Sequence, residues 1–195
     1  FAAPNPEVRR RAVARIREHI ALAAELGSGV TVGLVRGRLG QEADARAAAR
    51  QAFVDCLDEC CRAAAAVGVT LFLEPMNRYE CDYLYTLDEA SAVIDELGAP
   101  NLKLLADTFH MNIEDANLTT GIARAGGRLG HVHLVDSNRW VPGYGHLDVR
   151  GVLQALAESG YQGYLSFEAL PLPDPQAAAR EGLRTVRRIL SGVGA

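Results

Sequence analysis

LFLEPMNRYE, residues 71–80, is the stretch around which the chain is organised. The apolar run from Val69 to Leu73 that opens it is bounded by Gly68 before and Pro75 after. That is the pattern of a strand buried in a parallel sheet. Glu74 stands at its carboxyl end, and Glu80 follows six residues on. A carboxylate closing an otherwise apolar strand needs a partner, because a buried charge is paired or holds a metal.

Three further segments repeat the pattern. LKLLADTFH sets Asp107 and His110 after an apolar run, GHVHLVD holds His133 within one, and GYLSFEA ends another on Glu168. The steps are 33 residues from Glu74 to Asp107, 26 more to His133 and 35 more to Glu168. A closed (β/α)₈ barrel of about 250 residues spends roughly 31 on each βα unit. The four groups therefore recur about once per unit. They would emerge together at the carboxyl ends of four neighbouring strands, the face on which such barrels carry their chemistry.

The intervening periodicity is helical. Val8, Val13, Ile16, Ile20 and Leu26 mark a helix over 6–26 that Gly27 stops, and 42–67 is a long Ala-rich helix closed by Gly68. Residues 86–97 open on Thr86 with Glu89 three positions later, a capping box, and stop at Gly98. Helices near 115–125, over 148–158 and over 174–190 complete the set, with a β-branched strand at 29–35 and a polar loop at 136–147. The alternation predicts parallel α/β architecture. It contains five strands, where a closed barrel needs eight. The expectation is one domain over 1–195, the carboxyl-terminal part of a TIM barrel whose three amino-terminal βα units lie outside this sequence. Left unclosed, the strand near 30–35 presents an edge or pairs with something else.

Composition sets broad bounds. The 195 residues are 49% hydrophobic and 23% charged with a net charge of −4, an ordinary globular balance. Arg9–Arg11, the one basic cluster, reads as a solvated helix face rather than a nucleic-acid contact. No apolar run reaches the roughly 18 residues of a membrane span, and no secretory leader is visible. Cys56, Cys60, Cys61 and Cys81 lack the paired spacing of a zinc site, and three crowd one helix. Reduced thiols in a cytoplasmic protein are expected.

The segments LEPMNRYE, ADTFHMNIED, HVHLVDSNRWVPGYGHLD and YLSFEA together resemble the xylose-isomerase-like sugar isomerases and epimerases, most closely their ketose 3-epimerase branch. The resemblance covers nearly the whole chain. Carried over residue by residue, it implies that Glu74, Asp107, His133 and Glu168 bind one divalent metal. It implies that Glu80, His110 and Arg139 contact substrate and that Glu74 and Glu168 move protons. Three carboxylates and one imidazole suit Mn²⁺ first, with Mg²⁺ or Co²⁺ as alternatives. His131 shares a strand face with His133 and reads as a supporting or core residue. His146 and Asp148 match a recurrent family segment without an assigned role. Met76, Tyr79 and Trp140 are either pocket walls or loop packing.

The implied chemistry is proton abstraction beside a ketone through an enediolate. One carboxylate removes the proton and the other returns one on the far face, giving C3 epimerisation of a ketose or keto-sugar acid. Return to the adjacent carbon gives an aldose–ketose isomerase, including the hydroxypyruvate isomerase type. A keto-inositol dehydratase uses a similar cage. A multi-zinc DNA-repair endonuclease needs more than the five histidines present and a basic groove. The non-enzyme alternative is a sugar-binding protein, against which all four filled ligand positions argue. The expected partner is a small sugar, not nucleic acid or membrane, and a homo-oligomer is compatible with the chain.

Overall fold

The computed structural model describes residues 1–192. Five strands, β1 (Val30–Val32), β2 (Leu71–Leu73), β3 (Leu102–Asp107), β4 (Leu129–His133) and β5 (Leu165–Ser166), form one sheet in sequence order. Every adjacent pair is parallel. Seven α-helices cover it: α1 (Pro6–Leu26), α2 (Ala43–Ala65), α3 (Leu87–Leu97), α4 (Thr108–Glu114), α5 (Leu118–Ala125), α6 (Val149–Glu158) and α7 (Pro175–Leu190).

The helix ends follow local chemistry. Pro6 opens α1 behind Asn5, whose side chain accepts the Glu7 N–H, and Gly27 ends it in the left-handed region at φ 63°. The capping box of Thr86 and Glu89 forms at the start of α3. The helix expected near 115–125 is α5, and a separate short helix, α4, precedes it unexpected. Asp107 caps α4 directly at the end of β3, and Asn117 starts α5 anew. The strand expected over 29–35 ends at Val32, and a 3₁₀ turn over Leu34–Arg36 follows.

Strand alternation separates two faces. Val30, Val32, Leu71, Leu73, Leu102, Leu104, Ala106 and Val132 are buried beneath the helices. The opposite parity places Thr31, Phe72, Lys103 and His131 on the inner face. Gly29, Thr31, Phe72, His131 and Tyr164 line an open hollow there of about 680 Å³. Among the described residues β1 pairs only with β2, and β5 only with β4. The sheet is therefore a partial barrel with two unpaired edges. Among the same residues no helix is long and apolar enough to cross a membrane, and the four cysteines are unpaired and buried.

Candidate metal centre

At the carboxyl ends of β2 to β5 the inner-face parity continues into four polar groups. Glu74 directly follows β2, Asp107 and His133 are the last residues of β3 and β4, and Glu168 lies two residues past β5. The parallel register sets Asp107 directly beside His133 and His133 beside Ser166. One donor atom from each of Glu74, Asp107, His133 and Glu168 lies within 4.8 Å of the others. His133 Nδ1 sits at the centre, 3.2 Å from Glu168 Oε2, 3.4 Å from Asp107 Oδ2 and 3.5 Å from Glu74 Oε1. Asp107 is fully buried, whereas the Glu168 side chain is 53% exposed, so the cage opens on one side.

Asp107 divides its two oxygens. Oδ1 accepts the N–H of Phe109 at 2.8 Å and of His110 at 3.4 Å, capping α4, while Oδ2 faces the cage. Gly33, just past β1, presses against Glu74. A Cβ there would lie 2.7 Å from Glu74 Oε2, so a larger residue would push that carboxylate from its present position.

The electrostatics are those of a cage built around positive charge. Burial opposes a proton on His133, but the carboxylates of Asp107, Glu168 and Glu74 outweigh it and push the pKa up to about 11. His133 in turn pulls Glu168 down to about 2, against some burial and with help from Arg139. Glu74 Oε1 and His133 Nδ1 are nevertheless buried without an aligned hydrogen-bond partner. Buried polar atoms are ordinarily satisfied, and a cation between them would satisfy both. Oxygen ligands at about 2.1 Å in an octahedral shell sit roughly 3 Å apart when adjacent and 4 Å when opposite. The 3.2–3.5 Å separations from His133 Nδ1 fall within that range, and the oxygen-rich donor set suits a hard divalent ion.

The three remaining candidates form the rim. Arg139 Nη2 donates to Glu168 Oε2 at 2.7 Å and Nη1 to Asp107 Oδ2 at 3.2 Å, with the guanidinium 4.8 Å above the Phe109 ring. His110, buried in the first turn of α4, points Nε2 to within 3.5 Å of Arg139 Nη1. Glu80 Oε1 lies 3.9 Å from His110 Nδ1.

Sequence reasoning passed over Asp136, which organises the 136–147 loop. It is buried, and Oδ1 accepts the N–H of Ser137 (2.8 Å) and Leu147 (3.0 Å) while Oδ2 accepts that of Gly143 (2.8 Å). Burial raises its pKa, and the backbone donors win and hold it below the ordinary range. The folded loop holds Arg139 at φ 64°, directed back at the cage. A lone Asp before a glycine-containing polar loop was the available signal. His146 is pinned by Ser137 Oγ at 2.8 Å, and Asp148 caps α6 through the Gly151 N–H. His131 donates to or accepts from Ser166 Oγ at 2.8 Å and stands edge-on to His133, one layer below. Met76 is buried near Gly33, Trp140 stacks on Tyr144, and Tyr79 is exposed.

Comparison with known proteins shows the family of the fold. The chain is 46% identical over 107 residues to a D-psicose 3-epimerase of Enterocloster bolteae, covering 55% of this chain and 36% of that protein. It is 36% identical over 170 residues to an L-ribulose 3-epimerase of Mesorhizobium japonicum, covering 87% and 57%. The chain thus spans about a third to under three fifths of the length of these relatives. A solved structure of L-ribulose 3-epimerase superposes with a TM-score of 0.89 at 30% identity, over 98% of this chain and 71% of that one. The profile described as "Xylose isomerase-like TIM barrel" matches residues 1–189. With its parallel strands in sequence order and its polar groups at their carboxyl ends, the chain belongs to the xylose isomerase-like TIM barrel family.

Proposed function

We propose that this protein is a metal-dependent sugar epimerase that inverts C3 of a ketose or keto-sugar acid through an enediolate. The observation that carries the reading is the cage itself: four donor groups with two buried, unsatisfied atoms facing one another. The relatives described above are 3-epimerases, which supports the reaction class. Glu74, Asp107, His133 and Glu168 would hold one divalent ion, Mn²⁺ foremost. Such an ion supplies Lewis-acid stabilisation, worth several kcal/mol, to charge developing on a carbonyl.

The chain's own groups supply the rest. Glu80, His110 and Arg139 orient the sugar from the rim. Glu74 and Glu168 act as the acid–base pair, Glu74 from a buried position and Glu168 from an exposed one. Positioned groups of this kind contribute about 10²–10⁴-fold. Because Glu168 is open to solvent, a proton that it carries exchanges with water.

The test is incubation of free ketohexoses, ketopentoses and keto-sugar acids with the Mn²⁺-loaded protein in D₂O. Deuterium at C3 together with a new diastereomer is expected. Label at C1 with an aldose appearing would make it an isomerase, and loss of water a dehydratase. Absence of exchange with metal and sugar both bound would leave a binding protein.

A further inference from the structure

We propose that Asn77 is a positioning residue that holds His110 as the Nε2–H tautomer, so that His110 and Arg139 present two donors to a single substrate oxygen. The inference rests on the sugar-epimerase reading for the identity of that oxygen, but the tautomer itself follows from the hydrogen bonds. Asn77 is buried at the base of the loop that follows β2. Its side-chain Nδ2 lies 2.7 Å from His110 Nδ1 and 3.1 Å from Glu80 Oε1. Its Oδ1 accepts the Tyr79 N–H at 3.0 Å, and its own backbone N–H points at His110 Nδ1 at 3.4 Å.

These four contacts admit one proton arrangement. Turning the amide over would set Nδ2 against the Tyr79 N–H, donor facing donor, and Oδ1 against the Glu80 carboxylate, acceptor facing acceptor. The amide is therefore oriented with both Nδ2 hydrogens committed, one to Glu80 and one to His110. His110 Nδ1 then receives two N–H donors and must offer its lone pair, which places the ring proton on Nε2. The competing arrangement, a doubly protonated ring paired with Glu80, has a 3.9 Å separation, beyond hydrogen-bond reach, and would aim an Nδ1–H at the two Asn77 donors.

The consequence lies at Nε2. It faces Arg139 Nη1 across 3.5 Å; both atoms are donors, so neither satisfies the other, and Nη1, which spends one N–H on Asp107 Oδ2, has a second to offer. Two donors converging beside the cage call for an acceptor: a carbonyl, hydroxyl or carboxylate oxygen of the substrate. Asn77 also ties Glu80, which can accept only, to the same network. One amide thereby sets the polarity of the His110 contact and anchors the Glu80 carboxylate beside it.

The experiment is ¹⁵N NMR of histidine-labelled protein, full chain, with His110 assigned by its loss in H110Q. The expected spectrum shows an unprotonated Nδ1 and a protonated Nε2. In N77D the carboxylate faces Nδ1, and a proton should appear there. With D-fructose or L-ribulose as probe, N77D should raise KM about tenfold, the scale of one lost hydrogen bond, and lower kcat by a smaller factor. A protonated Nδ1 in the unsubstituted protein overturns the assignment. A relocated proton in N77D with unchanged KM overturns its role in binding. An inactive parent protein that shows the expected tautomer refutes the epimerase reading and leaves the tautomer assignment standing.

Discussion

Loading the cage with Mn²⁺ should expel one proton per ion. In the metal-free protein three carboxylates surround His133 Nδ1 at 3.2–3.5 Å and hold its pKa near 11. The ring is therefore protonated throughout the neutral range, although an imidazole ordinarily titrates near 6.5. A metal takes only the neutral ring. Apparent affinity should then rise about tenfold per pH unit, or roughly 1.4 kcal/mol, and about a hundredfold from pH 6 to pH 8. The linkage for stability has a definite sign. A pKa raised on folding stabilises the metal-free protein fully below the ordinary value and loses that contribution as pH climbs toward the folded one. The loaded protein lacks that proton, so the rise in Tm on adding Mn²⁺ should widen between pH 6 and pH 8. Titration calorimetry in buffers of different ionisation enthalpy measures the released proton directly. Binding heats independent of buffer, with affinity flat across that range, would refute the reasoning, because His133 would then not be exchanging a proton for a metal. His133→Ala should remove the pH slope along with most of the affinity.

Glu168→Gln keeps the shape of the side chain but cannot accept a proton; turnover should fall at least ~10²-fold, and a near-normal rate with metal retained would exclude Glu168 as proton carrier. Asp136→Asn turns one acceptor of the loop-organising carboxylate into a donor facing a backbone N–H. The cost should be about 1–3 kcal/mol, read as a Tm lower by several degrees and a raised KM as Arg139 loses its seat; an unchanged Tm would show that the loop does not depend on Asp136. We also propose that strands outside residues 1–195 complete the barrel by pairing with the open edges of β1 and β5. A soluble, monomeric and active protein of 20.9 kDa would overturn that claim.

Much of this architecture is legible in the chain because parallel α/β units write themselves locally. Val69–Leu73 and Leu102–Asp107 are apolar runs with a charge at one end, and burial explains the run while the charge marks the end. Thr86 and Glu89 are a capping box both in sequence and in structure. The short helix α4, ahead of the helix expected near 115–125, was not legible. Asp107 reads as a strand end with a free carboxylate, and whether it also caps a helix depends on the turn that the chain takes after β3. The strand at GYLSFEA was legible but its early end was not: Glu168 stands two residues past the last ladder bond, where pairing with β4 has already ceased.

The sequence by itself determined that β and α units alternate, that polar groups recur once per unit, and that each group falls at the carboxyl end of a strand. Periodicity and spacing are properties of the chain and need no partner. Tertiary structure alone decided which atoms meet. The register that sets Asp107 beside His133, the loop that Asp136 folds so that Arg139 returns to Glu168, and the amide of Asn77 that orients His110 all join residues tens of positions apart or depend on a backbone turn. Hydrogen bonds act over about 3 Å and only along favourable directions, and no one-dimensional spacing carries that information.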